Sequence, residues 1–335
     1  MRRREFITLL GSATAWPLSV RAQQPAMPVI GFLSPGSPES DVVRLTGVRQ
    51  GLKESGYVEG QNVAIEYRFA HGQNDRLPAL AVDLVDRRIS AIVSVGTPAT
   101  LAAKAATATI PIVFHIGVDP VQFGFATSLS RPGGNLTGVV GFSADLVAKK
   151  LEILRELLPD AAVVAVLVNP ANPIAEPESS AAQDAARSLG VKLHILRAST
   201  AGEIDAAFTS LGKLRARALV VADDPYFFNQ LAQIMALAAR DSVPTIPNWR
   251  EFPQAGGLMS YGIDVTDAYH QVGLYAGKIL KGIRPADLPV QQVVKIEMLV
   301  NLKTAKTLGI YFPAAAHRPC RRGNRMKLAD VAVGP

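Results

Sequence analysis

Pro28-Val29-Ile30-Gly31-Phe32-Leu33 is a short apolar run without polar alternation, the pattern of a strand buried on both faces. A helix from about Asp41 to Ser55 follows it, with Val42, Leu45, Val48 and Leu52 at helical spacing and Gly56 as its stop. The rhythm then repeats: Val63–Arg68 (strand), Leu77–Asp86 (helix), Ala91–Val95 (strand), Pro98–Ala106 (helix) and Ile112–Phe114 (strand). Strand and helix alternating at this spacing predict a parallel sheet with helices on both faces.

A second block has the same rhythm. Lys149–Leu158 reads as a helix, Val163–Val168 as a strand and Glu178–Leu189 as a helix. Val191–Leu196, Ala218–Val221 and Pro244–Ile246 read as further strands, with helices at Ala201–Leu211 and Asn229–Arg240 between them. The turn formers Arg131-Pro132-Gly133-Gly134-Asn135-Leu136-Thr137-Gly138 separate the blocks. Leu258–Gly262 closes the second block as a strand. That leaves the helix Val265–Leu280 and the extended run Val290–Val300 without local partners. Sending the helix back to the first block makes the fold class α/β: two doubly wound parallel-sheet lobes joined by a three-crossing hinge. The expected organisation is lobe 1 from 28–140 plus 264–290, lobe 2 from 141–262 and a hinge return segment at 290–310. Such a hinge permits closure on a ligand between the lobes.

The ends of the chain differ from its body. Arg2-Arg3-Arg4-Glu5-Phe6-Ile7, a short apolar stretch broken by Gly11 and Pro17, and the exit Val20-Arg21-Ala22 read as an export signal over 1–22, twin-arginine-like, cleaved near Ala22. The general secretory route remains a second reading. The stretch is too short to span a bilayer, which takes about 20 apolar residues, and no Cys lies beside the exit for a lipid anchor. A periplasmic location is expected, with membrane contact only through a partner. The leader and residues 314–335 together carry all of the net charge of +7. The body is therefore neutral and offers no electrostatic footprint for nucleic acid. A hydrophobic content of 48% fits a packed soluble protein. Removing the leader leaves about 310 residues, more than one core comfortably holds. The lone Cys320 excludes an intrachain disulfide and a thiolate zinc site.

No nucleophile elbow, phosphate loop, dinucleotide fingerprint or H-E-x-x-H motif is present, and the five His residues are scattered. The chain is read as a binding protein and not an enzyme, with no cofactor and no metal. In open α/β sheets ligands bind beyond the carboxyl ends of strands, which selects the candidate site. Ser34 ends the first strand. Thr97, Pro98 and Ala99 open a helix whose free N–H groups and dipole suit a carboxylate; simple capping by Thr97 is the plainer alternative. Asp119, before Pro120, is placed to hold an ammonium or to make an Asx-turn. His115 is a weaker candidate, since a lone His near a strand is often a satisfied core group. Lobe 2 offers Asn169, Asp224 or its neighbour Asp223, and Tyr261. Asp223-Asp224 alone is a poor metal pair. Trp249 either stacks on a ligand or packs.

These residues carry a resemblance. Gly51-Leu52 with Gly56-Tyr57-Val58-Glu59-Gly60-Gln61-Asn62, Gly96-Thr97-Pro98-Ala99, Val118-Asp119-Pro120-Val121, the 131–138 join, Tyr261-Gly262 and Asn301–Gly309 together resemble the substrate-binding proteins of bacterial ABC transporters with a type I periplasmic-binding fold. The match covers roughly Pro28 to Ile310. The resemblance implies a monomeric receptor that closes on a small-molecule solute, an amino acid or similar, and delivers it to a permease and its ATPase. Some relatives bind aromatic amino acids, and their contacting loops align with Ser34, Thr97 to Ala99, Asp119, Asn169, Asp224 and Tyr261. A ligand sensor feeding a signalling partner fits the same fold. A periplasmic hydrolase would need a nucleophile with a base in reach, and no local signature supplies one.

The chain departs from the family after Ile310, where relatives commonly end in a run like A-D-E-V-I-E. The atypical basic tail at 311–335 includes Cys320-Arg321-Arg322-Gly323-Asn324-Arg325-Met326. One codon set that would encode it, TGC CGA CGA GGT AAT CGA ATG, gives A-D-E-V-I-E when read one base later. We therefore expect the tail to be, at least in part, a frameshifted end, with a tolerated terminus as the alternative. Resequencing the gene should recover the family-like ending; an intact frame whose codons cannot be read this way refutes the expectation.

Overall fold

The buried runs assemble into two separate parallel sheets. The computed structural model describes residues 27–312; the leader read at 1–22 and the tail beyond 312 lie outside the described residues. The first lobe runs β1 (Val29–Ser34), α1 (Val42–Glu54), β2 (Ala64–Phe69), α2 (Leu77–Asp86), β3 (Ala91–Val95), α3 (Gly96–Ala106), β4 (Ile112–Ile116) and β5 (Leu136–Val140). The second runs α4 (Ser143–Leu157), β6 (Val163–Val168), α5 (Ala175–Leu189), β7 (Lys192–Arg197), α6 (Ala201–Leu214), β8 (Leu219–Val221), α7 (Pro225–Asn229), α8 (Leu231–Arg240), β9 (Thr245–Ile246), α9 (Glu251–Gln254) and β10 (Met259–Ile263). The chain then returns through α10 (Val265–Leu280), β11 (Gln291–Gln292), β12 (Ile296–Val300) and α11 (Leu302–Thr307).

The six-stranded sheet has the order β11-β5-β4-β3-β1-β2 and the four-stranded sheet β7-β6-β8-β9. Every pairing in both is parallel. Each sheet is covered on both faces, as the unbroken apolar strands require. In lobe 1, Leu77, Ala81 and Leu84 of α2 join Ala99 and Ala103 of α3 on one face. Leu45, Val48 and Leu52 of α1 join Tyr269, Val272 and Ala276 of α10 on the other. In lobe 2, α4 and α5 cover one face, together with β10 and β12, and α6 and α8 the other.

The expected three crossings are present. The chain passes from β5 to α4, from β10 to α10 and from β11 to β12. Two details differ from the sequence reading. The turn-rich join contains β5 itself, because Leu136 to Val140 finds a partner in β4 that local sequence cannot show. The run Val290–Val300 is two strands: β11 extends the lobe 1 sheet beside β5, and β12 pairs antiparallel with β10. The last crossing therefore lies inside that run.

Helix α10 belongs to lobe 1 because glycines let it approach α1. A Cβ built on Gly51 would lie 2.1 Å from the His270 carbonyl oxygen, and one on Gly273 would lie 2.2 Å from that of Val48. Neither space admits a methyl group, so the two backbones touch. The Gly51→Ala variant must push the helices apart, and overpacking of this kind costs about 1–3 kcal/mol. Denaturant unfolding should show a lowered midpoint; an unchanged midpoint would mean the contact is dispensable.

Candidate functional site

A cavity lies between the lobes, where the carboxyl ends of β3, β4, β6, β8 and β9 face one another. Both sheets present their topological switch points here: β1 lies between β2 and β3, and β6 between β7 and β8. Counted with the open solvent at its mouth, the space between these walls is about 650 Å³.

Lobe 1 supplies a cationic and polar wall. Helix α3 starts at Gly96, whose φ of +74° turns the chain directly out of β3. Its N-terminus carries no side-chain cap. Thr97, which lines the cavity, is 2% exposed, and its Oγ1 has no hydrogen-bond partner. The hydroxyl therefore does not cap its own helix. Arg44 enters from α1. Its guanidinium donates to Asp41 Oδ1 at 2.7 Å and to the Ser40 carbonyl at 3.0 Å. The same group lies 5.3 Å from the ring centre of Phe228 in lobe 2 and 6.0 Å from that of Tyr269. Burial works against its charge, but Asp41, Tyr269 and Asp223 around it more than restore the protonated form. His115 packs against Tyr269 with ring centres 5.0 Å apart. Burial first, and the Arg44 charge second, hold this imidazole down at about 3, so it is neutral. Its buried Nε2 has no partner.

Lobe 2 supplies an anionic and aromatic wall. Asp223 follows β8 and lines the cavity beside Asn248 and Trp249. Burial raises its pKa, while Lys150, Arg44 and hydrogen bonds from Asn248 and Trp249 oppose the rise. Trp249 meets Phe228 edge-on at 5.5 Å. Arg44 and Asp223 thus put opposite charges into one cavity from opposite lobes.

The structure brings Thr97, Pro98 and His115 together on this cavity. Ser34, Ala99, Asp119, Asn169, Asp224 and Tyr261 are not among its lining residues. Ser34 is fully buried, its hydroxyl accepting from the Gly36 N–H at 3.0 Å. Ala99 is buried in the lobe 1 core. Asp119 makes the Asx-turn, accepting from the Val121 N–H at 2.7 Å. Asp224 caps α7, accepting from the N–H groups of Tyr226 and Phe227 and from the amides of Asn169 and Asn172. Burial raises it to about 6. Tyr261 packs in the lobe 2 core. Asp223 and Trp249 were both weighed from the sequence. Arg44 and Tyr269 were not, because neither lies at a strand end. One signal does separate the two aspartates: Asp224 precedes Pro225 at a helix start, the signature of a capping residue.

Comparison with known proteins now bears on the site. Residues 30–317 match the family model described as ABC transporter substrate binding protein. The chain belongs to that family. A tyrosine-binding protein of Clostridioides difficile is 27% identical over 263 residues, which is 78% of this chain and 75% of the relative. A conserved domain protein of Vibrio cholerae superposes with a TM-score of 0.81 at 25% identity, covering 90% of this chain and all of that one. The Streptococcus pneumonia structure described as an ABC domain in complex with L-Trp gives 0.80 at 24% identity, covering 89% and 99%, and so speaks for the fold. A substrate-binding protein from Clostridium difficile, solved in a ligand-free, open form, gives 0.63 at 25% identity, covering 90% and 100%. The neighbours confirm the type I periplasmic-binding architecture for this member of the family. Among the described residues no helix is long and apolar enough to cross a membrane, and no group of three or more metal-binding side chains gathers.

The neutral His115 makes a prediction with a definite sign. Its folded pKa is depressed, so its share of stability is present above about 6.5, where the unfolded imidazole is neutral, and is lost as pH falls towards about 3. The His115→Gln variant lacks this slope. Its stability deficit against the wild type, measured by denaturant unfolding, should shrink from pH 7 to pH 4. A constant deficit would contradict a neutral imidazole.

Proposed function

We propose that this family member is the exported solute-binding component of an ABC importer and that its cleft takes a zwitterionic amino acid, aromatic ones foremost. The observation that carries the reading is the pairing of Arg44 and Asp223 across one cavity walled by Trp249 and Tyr269. A solute carboxylate would lie against Arg44 and the open N-terminus of α3, with the Thr97 hydroxyl as a further donor. Its ammonium would face Asp223, in place of the Asp119 or Asp224 suggested by sequence alone. The aromatic rings would take an apolar side chain. The tyrosine-binding relative and the L-Trp complex of a fold neighbour support the solute class. Closure around the solute would present both lobes to a permease and its ATPase, with the monomer working in the periplasm after cleavage near Ala22.

A ligand that binds only the folded state raises the melting temperature. L-Tyrosine, L-tryptophan or L-phenylalanine should do so, whereas their deaminated and decarboxylated analogues should not. Arg44→Met and Asp223→Asn should each weaken binding about tenfold or more in calorimetric titration, as expected for loss of a charge-assisted hydrogen bond worth about 1.5–3 kcal/mol. Failure of every amino acid to shift the wild type would overturn the reading.

A further inference from the structure

The cation of the cleft leans on the opposite lobe. From its own lobe, Arg44 is placed by Asp41, by the Ser40 carbonyl and by the Tyr269 ring 6.0 Å away. A further neighbour is Phe228 of α7, in lobe 2, whose ring centre lies 5.3 Å from the guanidinium carbon, inside the roughly 6 Å reach of a cation–ring contact. Phe228 is not among the residues that line the cavity. It lies at the rim, beside Ser37, Ser40, His71 and Asn229. A solute in the cleft therefore meets the effect of this ring through Arg44.

Helix α7 holds that ring in place. Asp224 accepts from the N–H groups of Tyr226 and Phe227 at 2.9 and 3.1 Å, and the amides of Asn169 and Asn172 hold its carboxylate at 3.1 and 2.8 Å. Trp249 backs the ring of Phe228 edge-on. The same helix meets lobe 1 a second time. Gly72, at a φ of +81°, turns bare backbone towards it: an added Cβ would lie 3.3 Å from the Tyr226 ring and 3.9 Å from Asn229 Nδ2. Both contacts fall on segments that follow β1 and β2. Two of the three crossings leave lobe 1 from β5 and β11, at the other edge of its sheet. From β5, β1 is three strands away and β2 four, about 14 and 19 Å at the usual strand spacing. The contacts of α7 therefore lie at the lip of the cleft, where opening about the crossings parts them.

We propose that Phe228 is the positioning residue of Arg44 and the latch of the lip: closure seats the guanidinium against its ring, so the carboxylate end of the cleft is complete only when the lobes meet. The inference rests on the amino-acid reading of the cleft and deepens it. A bound solute then leaves only after the cation–ring contact breaks along with the solute's own bonds. The latch therefore acts on the rate of leaving more than on the rate of arrival.

The test uses the full chain and the aromatic amino acid that raises the wild-type melting temperature most. Affinity is measured by calorimetric titration and the dissociation rate by stopped flow. The proteins are the wild type, Phe228→Leu, Phe228→Tyr, Arg44→Met and the double variant of Arg44→Met with Phe228→Leu. F228L keeps an apolar side chain and loses the ring face. It should weaken binding about fivefold to tenfold, mostly through faster dissociation, the scale of a cation–ring contact sheltered from water. F228Y keeps the ring and should bind as the wild type does. In the R44M background F228L should change nothing further. An F228L affinity equal to the wild type, an F228Y loss equal to that of F228L, or the same fold loss from F228L with and without Arg44 overturns the proposal. If R44M binds too weakly to titrate, the comparison of F228L with F228Y decides alone. If F228L does not fold, Phe228→Met takes its place under the same criteria. Absence of binding in the wild type would instead refute the amino-acid reading on which the proposal stands.

Discussion

The backbone contact between α1 and α10 is the constraint on which the two-lobe arrangement depends. Gly47 and Gly51 on one helix and Gly273 and Gly277 on the other leave no room for a single added methyl. This brings two helices separated by all of lobe 2 onto one face of the first sheet. It also sets the cleft wall, since Arg44 projects from the first helix and Tyr269 from the second. A wider separation would move the cation and the aromatic ring apart together. Packing and recognition therefore share one origin, in residues whose side chains are only hydrogen.

Charge in the cleft is arranged in pairs that belong to different lobes. Arg44 has its own partner in Asp41 and looks across at Asp223. Asp223 in turn has Lys150 behind it. Each wall is close to balanced by itself, which limits the cost of burying it. Each still presents one sign to the cavity. A zwitterion adds no net charge to this arrangement, whereas an anion or a cation alone adds one. Phe228 and Trp249, edge-on to one another, add an aromatic surface beside these charges.

The fold was legible wherever the signal was local. The helix Val265–Leu280 has the same ends in sequence and structure, and the strand runs of both blocks were read from their apolar composition. What was not legible depended on partners far along the chain. Leu136 to Val140 is strand only because β4 is beside it, and Val290–Val300 divides because its halves find different sheets. The site divides in the same way. Thr97, Pro98 and His115 could be named because strand ends are a general address. Arg44 and Tyr269 could not, since they lie in the first turns of α1 and α10 and not at strand ends. Asp119 and Asp224 had the right chemistry, but their oxygens are committed to local backbone groups.

The return of α10 has a consequence for the order in which the molecule is made. Lobe 2 is one continuous stretch from α4 to β10, and it completes most of its core as it leaves the ribosome. The first lobe cannot. Its sheet waits, one face covered by α1 alone, while more than a hundred further residues are synthesised, until Val265–Leu280 arrives to complete the cover. The lobe that begins the chain thus waits through nearly all of lobe 2, which itself lacks only β12 and α11 by then, and part of the apolar face that holds Val93 and Val113 lacks its α10 cover throughout that interval. That interval is when a chaperone or an export factor has something to hold.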